Sequence, residues 1–160
     1  MVIIRKIALL LATVALLTVV VFGSSLRPRE YAPDFKAKAV HDDKFVDVQL
    51  SEISAQGKWI VLLFYPFDYT FVCPTEIISF SEKFGEFEAI GTKVLAISTD
   101  SHHTHLSWTR TSRKDGGVGK LNIPLVADIS KKISASYGVL VDDENDEMYG
   151  AAIRGKNKKQ

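Results

Sequence analysis

Hydrophobic and polar positions change period several times along the chain, and each change marks an element. Residues 7–22, IALLLATVALLTVVVF, run for 16 positions without charge, proline or glycine. Val46, Val48 and Leu50 then alternate with Asp47 and Gln49, the period-two mark of a half-buried strand. Residues 59–65, WIVLLFY, are apolar throughout, the pattern of a central parallel strand covered on both faces, and Pro66 ends it. Ile77, Phe80, Phe84 and Phe87 recur at spacings of 3, 4 and 3, which predicts one amphipathic helix from Pro74 to Ile90, stopped by Gly91. Residues 93–98 and 124–128 predict two more buried strands. Ser101 to Thr111 reads as a helix capped by Asp100 or Ser101, and Ser130 to Tyr137 as a short helix ended by Gly138. Val139 to Val141 starts a further strand, and Asp142 to Glu147 is turn-like. Alternation of strand and helix predicts an α/β domain with a mainly parallel sheet and no internal repeat.

Composition changes this picture in one respect. The 160 residues are 46% hydrophobic and 24% charged, which excludes a disordered or collagen-like chain and allows one cored domain. Twenty basic against nineteen acidic residues leave +1, with no excess pointing to nucleic acid. Residues 1–25, however, hold Arg5 and Lys6 and no acid. A basic start, an apolar core and Gly23-Ser24-Ser25 after it make a secretory signal peptide, with a cut after Gly23. An uncleaved signal-anchor is the second reading, since Val2, Ile3 and Ile4 extend the run; a buried core helix is the third. The expected division is 1–25 leader and 26–160 domain, in the endoplasmic reticulum lumen, secreted, or held at a membrane. A single cysteine makes no internal disulfide there.

That cysteine is the informative residue. Cys73 follows a buried strand and stands at the mouth of the predicted helix, with Pro74 suited to the first helical position. A thiol there feels the positive end of the helix dipole, which favours the reactive thiolate. Thr70 lies three residues earlier and brings a hydroxyl able to donate or accept. The alternative is a structural buried cysteine. Position 76 is Glu, which excludes C-x-x-C chemistry.

Residues 64–80, FYPFDYTFVCPTEIISF, resemble the active-site signature of the typical two-cysteine peroxiredoxins. The stretches Asp100 to Trp108, Gly116 to Gly119, Leu121 to Asp128 and Tyr137 to Leu140 are similar to the same family, so the likeness runs from about Tyr31 to about Asp143. It implies a thioredoxin-like fold and thiol-dependent reduction of hydrogen peroxide and organic hydroperoxides, with no cofactor. Cys73 would then be the peroxidatic cysteine, with Thr70 and Pro66 beside it. Attack of a thiolate on an O–O bond puts negative charge on the departing oxygen, which donors at the site stabilise. The product is a sulfenic acid.

The resemblance also implies an arginine on a later strand. A gap-free alignment puts Tyr149 there; Arg154 takes the place with an insertion, and Arg110 and Arg113 are candidates by nearness to Trp108. The family's resolving cysteine belongs beyond residue 160, so an external thiol such as thioredoxin, or a Cys73–Cys73 link, is the expected route for the sulfenate. The family adds two strands and a long helix after residue 150, and the chain reads as C-terminally truncated. Exposed apolar surface and an unpaired sheet edge are then expected. Homo-oligomers, or assembly with full-length homologues as a non-enzymatic module, are the partner readings; a membrane-anchored binding domain is a further one. His102, His103 and His105 lack metal-ligand company and read as solvated or packed histidines. Gly116 to Gly119 lacks the lysine of a phosphate cradle, and the resemblance implies a mobile loop near the site. Trp108 reads as packing, and Lys156, Lys158 and Lys159 as a solvated tail.

Overall fold

The computed structural model describes residues 26–153 except 28, 71 and 72, and for Cys73 the backbone only. The leader, Arg154 and the lysine tail lie outside the described residues. Within them the order is β1 (Lys36–His41), β2 (Lys44–Gln49), α1 (Leu50–Ser54), β3 (Trp59–Phe64), α2 (Cys73–Glu82), α3 (Phe84–Ala89), β4 (Thr92–Ser98), α4 (His102–Arg110), a 3-10 turn at Arg113–Asp115, β5 (Leu125–Ala127) and α5 (Lys132–Ser136). Five strands form one sheet in the order β2-β1-β5-β4-β3.

The α/β class holds, but the sheet is mixed. β3 and β5 run parallel to β4, whereas β1 is antiparallel to both β2 and β5. β1 is an element that the apolar pattern did not mark, because lysines at 36 and 38 occupy its outward positions. Leu50 is buried as the first residue of α1 rather than the last of a strand. Alternation along the strands builds two apolar layers. Leu63, Val94, Ala96 and Leu125 face one layer with Ile77 and Trp108; Phe64, Leu95, Ile97 and Val126 face the other with Ala39, Val48 and Ile133.

Three expectations need correction. β3 is not central: among the described strands it pairs only with β4, and Trp59 at its start is 77% exposed. A run apolar on both faces reports the faces, not the number of paired edges. The helix expected over 74–90 is two helices with a break at Lys83. Its apolar stripe survives because Phe80 and Phe87 stack across the break at 5.6 Å. Val139 to Val141 makes no strand, only an isolated bridge between Leu140 and Ala152. Other signals hold: Gly91 and Gly138 take positive φ at helix ends, and the Ser101 side chain accepts the Thr104 N–H at 3.1 Å as the N-cap of α4. No helix among the described residues is long and apolar enough to cross a membrane.

Candidate active site

β3 delivers the chain to the C-terminal side of the sheet, where Pro66 to Thr70 turn it into α2. Cys73 is the first residue of that ten-residue helix, at the positive end of its dipole. Pro74 follows in the first turn, where the missing N–H costs little. Pro66 and Thr70 are both half-buried in the turn. The Thr70 hydroxyl donates to the Phe67 carbonyl at 3.0 Å, so its proton belongs to the turn until χ1 rotates, while its lone pairs stay available.

A buried polar network holds the turn in place. The Tyr65 hydroxyl donates to one Asp68 carboxylate oxygen at 2.8 Å, and His105 Nδ1 meets the other at 2.8 Å. His105 Nε2 lies 3.3 Å from the Val126 carbonyl, so each ring nitrogen faces an oxygen. The Asp68 N–H donates to Asp100 Oδ2 at 2.9 Å, and the Ser98 hydroxyl donates to the same oxygen at 2.8 Å. Burial pushes the Asp68 carboxyl up, against the opposing pull of His105. Burial, then the Asp68 charge, holds the Tyr65 phenol well above its ordinary value.

Tyr69 is the strained member. Its φ of 57° is left-handed, and its hydroxyl sits between Ser107 Oγ at 2.9 Å and Thr111 Oγ1 at 3.1 Å on the outer face of α4. Trp108 lies beneath, fully buried, stacked on Tyr65 at 6.0 Å with its indole N–H donated to the Gly116 carbonyl at 3.1 Å. It is a packing residue, and it ties the Gly116 to Gly119 loop to α4. Val118 of that loop is fully buried and its N–H returns to the Trp108 carbonyl.

The arginine candidates part company here. Arg110 grips Asp43 with two bonds, at 2.6 and 3.0 Å, in the β1–β2 turn. Arg113 reaches Glu82 at 3.2 Å, at the far end of α2 from Cys73. That end lies about 13 Å from the first residue at 1.5 Å per residue. Both guanidiniums are thus engaged with carboxylates, and Tyr149 lies half-exposed beneath the Lys131 ammonium. The three histidines also separate. His105 is fully buried, while His102 and His103 edge onto Phe45 at 4.8 and 5.2 Å. Among the described residues no cluster of three His, Cys, Asp or Glu is placed to hold a metal. The network joining Tyr65, Asp68, Asp100 and His105 escaped the sequence reading. The one available signal was His105 three residues before Trp108, on the core side of its helix.

The AhpC/TSA family profile matches residues 28–156. A mitochondrial thioredoxin-dependent peroxide reductase of Drosophila melanogaster is 50% identical over 134 residues, covering 84% of this chain and 56% of the relative. Peroxiredoxin-2 of Pongo abelii is 54% identical over 124 residues, covering 78% of this chain and 66% of its own length. The reduced 2-Cys peroxiredoxin of Plasmodium vivax superposes with a TM-score of 0.72 at 40% identity, covering 78% of this chain and 62% of that structure. The chain therefore spans less than two thirds of the length of these relatives. On fold, motif and identity together, it belongs to the AhpC/TSA family, as a peroxiredoxin.

Proposed function

We propose that the chain is a thiol peroxidase acting on hydrogen peroxide and organic hydroperoxides, with Cys73 as nucleophile. The observation that carries the reading is the position of Cys73 as the opening residue of α2, directly after a turn that buried hydrogen bonds hold in place. In the reaction, the Cys73 thiolate attacks one peroxide oxygen. An S–O bond forms, the O–O bond breaks, and the departing hydroxide or alkoxide takes up a proton. Sulfur is oxidised to a sulfenic acid while the peroxide is reduced to water or alcohol. Pro66 screens the thiolate from bulk water, and Thr70, once its hydroxyl turns from the Phe67 carbonyl, donates to a peroxide oxygen. Arg154, which the family resemblance sets in the arginine position with an insertion, would stabilise the developing charge, while Arg110 and Arg113 are engaged with Asp43 and Glu82. In this reading an external thiol reduces the sulfenate, or a Cys73–Cys73 link resolves it. The name of the Drosophila relative points to thioredoxin as that thiol.

The apolar leader, with its basic start and small residues after it, supports an exported protein with a domain from residue 26. Two relatives carry mitochondrial and chloroplastic names, so the compartment is tested by N-terminal sequencing of the cell-derived chain. Catalysis is tested by dimedone trapping after a hydrogen peroxide pulse, together with peroxide consumption in the presence of thioredoxin. Trapping at Cys73 well above the rate of free cysteine is expected. It should vanish in Cys73→Ser and slow in Arg154→Ala. Labelling no faster than free cysteine rejects the peroxidase.

A further inference from the structure

Tyr69 stands between Asp68, which the buried network anchors, and Thr70, whose hydroxyl serves the proposed reaction. Its φ of 57° is one that a residue with a Cβ adopts only under constraint. A left-handed residue redirects the chain, so the direction in which Thr70 leaves toward α2 depends on this one angle. In the extended or right-handed regions that an L residue prefers, the segment after Tyr69 would set off elsewhere.

Asp68 fixes the turn on one side, and the Tyr69 side chain holds it on the other. The Tyr69 ring lies tilted over Trp108 at 6.1 Å, and its hydroxyl reaches Ser107 and Thr111, one turn apart along α4. The protons can be assigned. The Thr111 hydroxyl donates to the Ser107 carbonyl at 2.9 Å, so its oxygen accepts the Tyr69 proton at 3.1 Å. The Ser107 hydroxyl then donates to the Tyr69 oxygen at 2.9 Å, and each hydroxyl gives its proton once. The receiving end is rigid. The Thr111 N–H bonds to the Ser107 carbonyl at 3.0 Å, its own carbonyl accepts the Gly119 N–H at 3.2 Å, and Asp43 grips the adjacent Arg110. Tyr69 is 45% exposed, so these bonds add little to fold stability, because water replaces them. What they fix is a backbone angle.

We infer that Tyr69 is a positioning residue for the peroxidase reaction: its hydroxyl, held by Ser107 and Thr111, keeps the turn in the left-handed shape that sets the Thr70 hydroxyl beside the Cys73 thiolate. The inference rests on the peroxidase reading and on Thr70 as donor to a peroxide oxygen. It separates two properties of the sulfur. Ionisation comes from the helix end and does not need Tyr69. Alignment with the donor does. Losing the latch therefore slows attack on an O–O bond, whose departing oxygen needs a donor, and spares attack on an alkyl iodide, whose departing iodide needs none.

The test uses the purified full chain and compares two rates at Cys73: sulfenate formation with hydrogen peroxide, and alkylation by iodoacetamide. Tyr69→Phe is expected to slow the first by about tenfold, the scale of a small misplacement of a reacting group, and to leave the second and its pH midpoint at the parent values. Thr111→Val keeps the aromatic packing, removes the acceptor and should do the same. Thr111→Ser keeps the oxygen and should keep the parent rate. In a Thr70→Val background Y69F should cost nothing further, because the donor it positions is gone. Y69F at the parent rate with both reagents, equal slowing with both, or a further loss in the T70V background overturns the inference. If Y69F fails to fold by circular dichroism, the contrast of T111V with T111S decides. A parent chain no faster with peroxide than free cysteine rejects the peroxidase reading and this inference with it. A fast parent matched by Y69F rejects this inference alone.

Discussion

At the scale of single residues, Asp68 carries more of the site than its neighbours in the motif. It is 7% exposed, yet its carboxylate and N–H join Tyr65 at the end of β3, Asp100 in the β4–α4 loop and His105 in α4. Removing one member of such a buried set leaves the others without partners in a place water does not reach. Asp68→Ala is therefore expected to cost about 3 kcal/mol in urea denaturation. Asp68→Asn keeps the shape and two hydrogen-bonding atoms and should cost less than half of that. If the turn is what presents Cys73, D68A should also slow sulfenate formation under conditions where the fold persists. Cys73, Thr70 and Pro66 were legible as a short linear motif, with helix-dipole chemistry attached. The network was not, because His105 lies 37 residues from Asp68 and its partner choice depends on how α4 packs over the sheet. The spacing of His105 to Trp108 hints that this histidine turns inward, but not that Asp68 receives it.

At the scale of elements, the glycines separate two kinds of backbone demand. Gly117 packs against α4's end so closely that a Cβ there would land on the Thr111 carbonyl, a backbone atom with no room to yield. Gly85, in α3, has nothing within 4 Å of where a Cβ would go. Gly117→Ala is thus expected to destabilise by about 2 kcal/mol or more through overpacking. Gly85→Ala should stabilise by roughly 0.5–1 kcal/mol through helix propensity. Thermal melts of the two variants beside the parent chain check both signs at once. The same contrast explains what was readable in the elements. Buried strands β4 and β5, the capped α4 and the glycine stops declared themselves through local pattern and chemistry. The break between α2 and α3 did not, because Lys83 is an ordinary helix residue and the apolar stripe continues through it. Nor did β1, whose register with β2 and β5 comes from tertiary pairing rather than from its own alternation.

At the scale of the whole molecule, Tyr137 closes the chain on itself. It follows α5, packs its ring against Phe64 at 5.5 Å and Phe35 at 6.4 Å, and donates its hydroxyl to the Pro33 carbonyl at 2.8 Å, 104 residues away. Burial, aided by the Asp34 charge, raises its phenol to about 12 from an ordinary value of 10. The unfolded chain therefore loses this proton first as pH rises. The stability tied to neutral Tyr137 is intact below pH 10 and is lost between 10 and about 12. Full burial would make that loss about 2.7 kcal/mol, and solvent at the half-buried ring reduces it to roughly 1 kcal/mol. Tyr65 contributes with the same sign, since burial raises its phenol too. The expected result is a urea midpoint that falls across this window, from pH 10 upward. Tyr137→Phe should be weaker than the parent at pH 9, having lost one hydrogen bond, but should fall less steeply, converging on the parent as the window is crossed. Parallel curves for the two chains would show that the Pro33 contact does not couple the N-terminal segment to the rest of the fold.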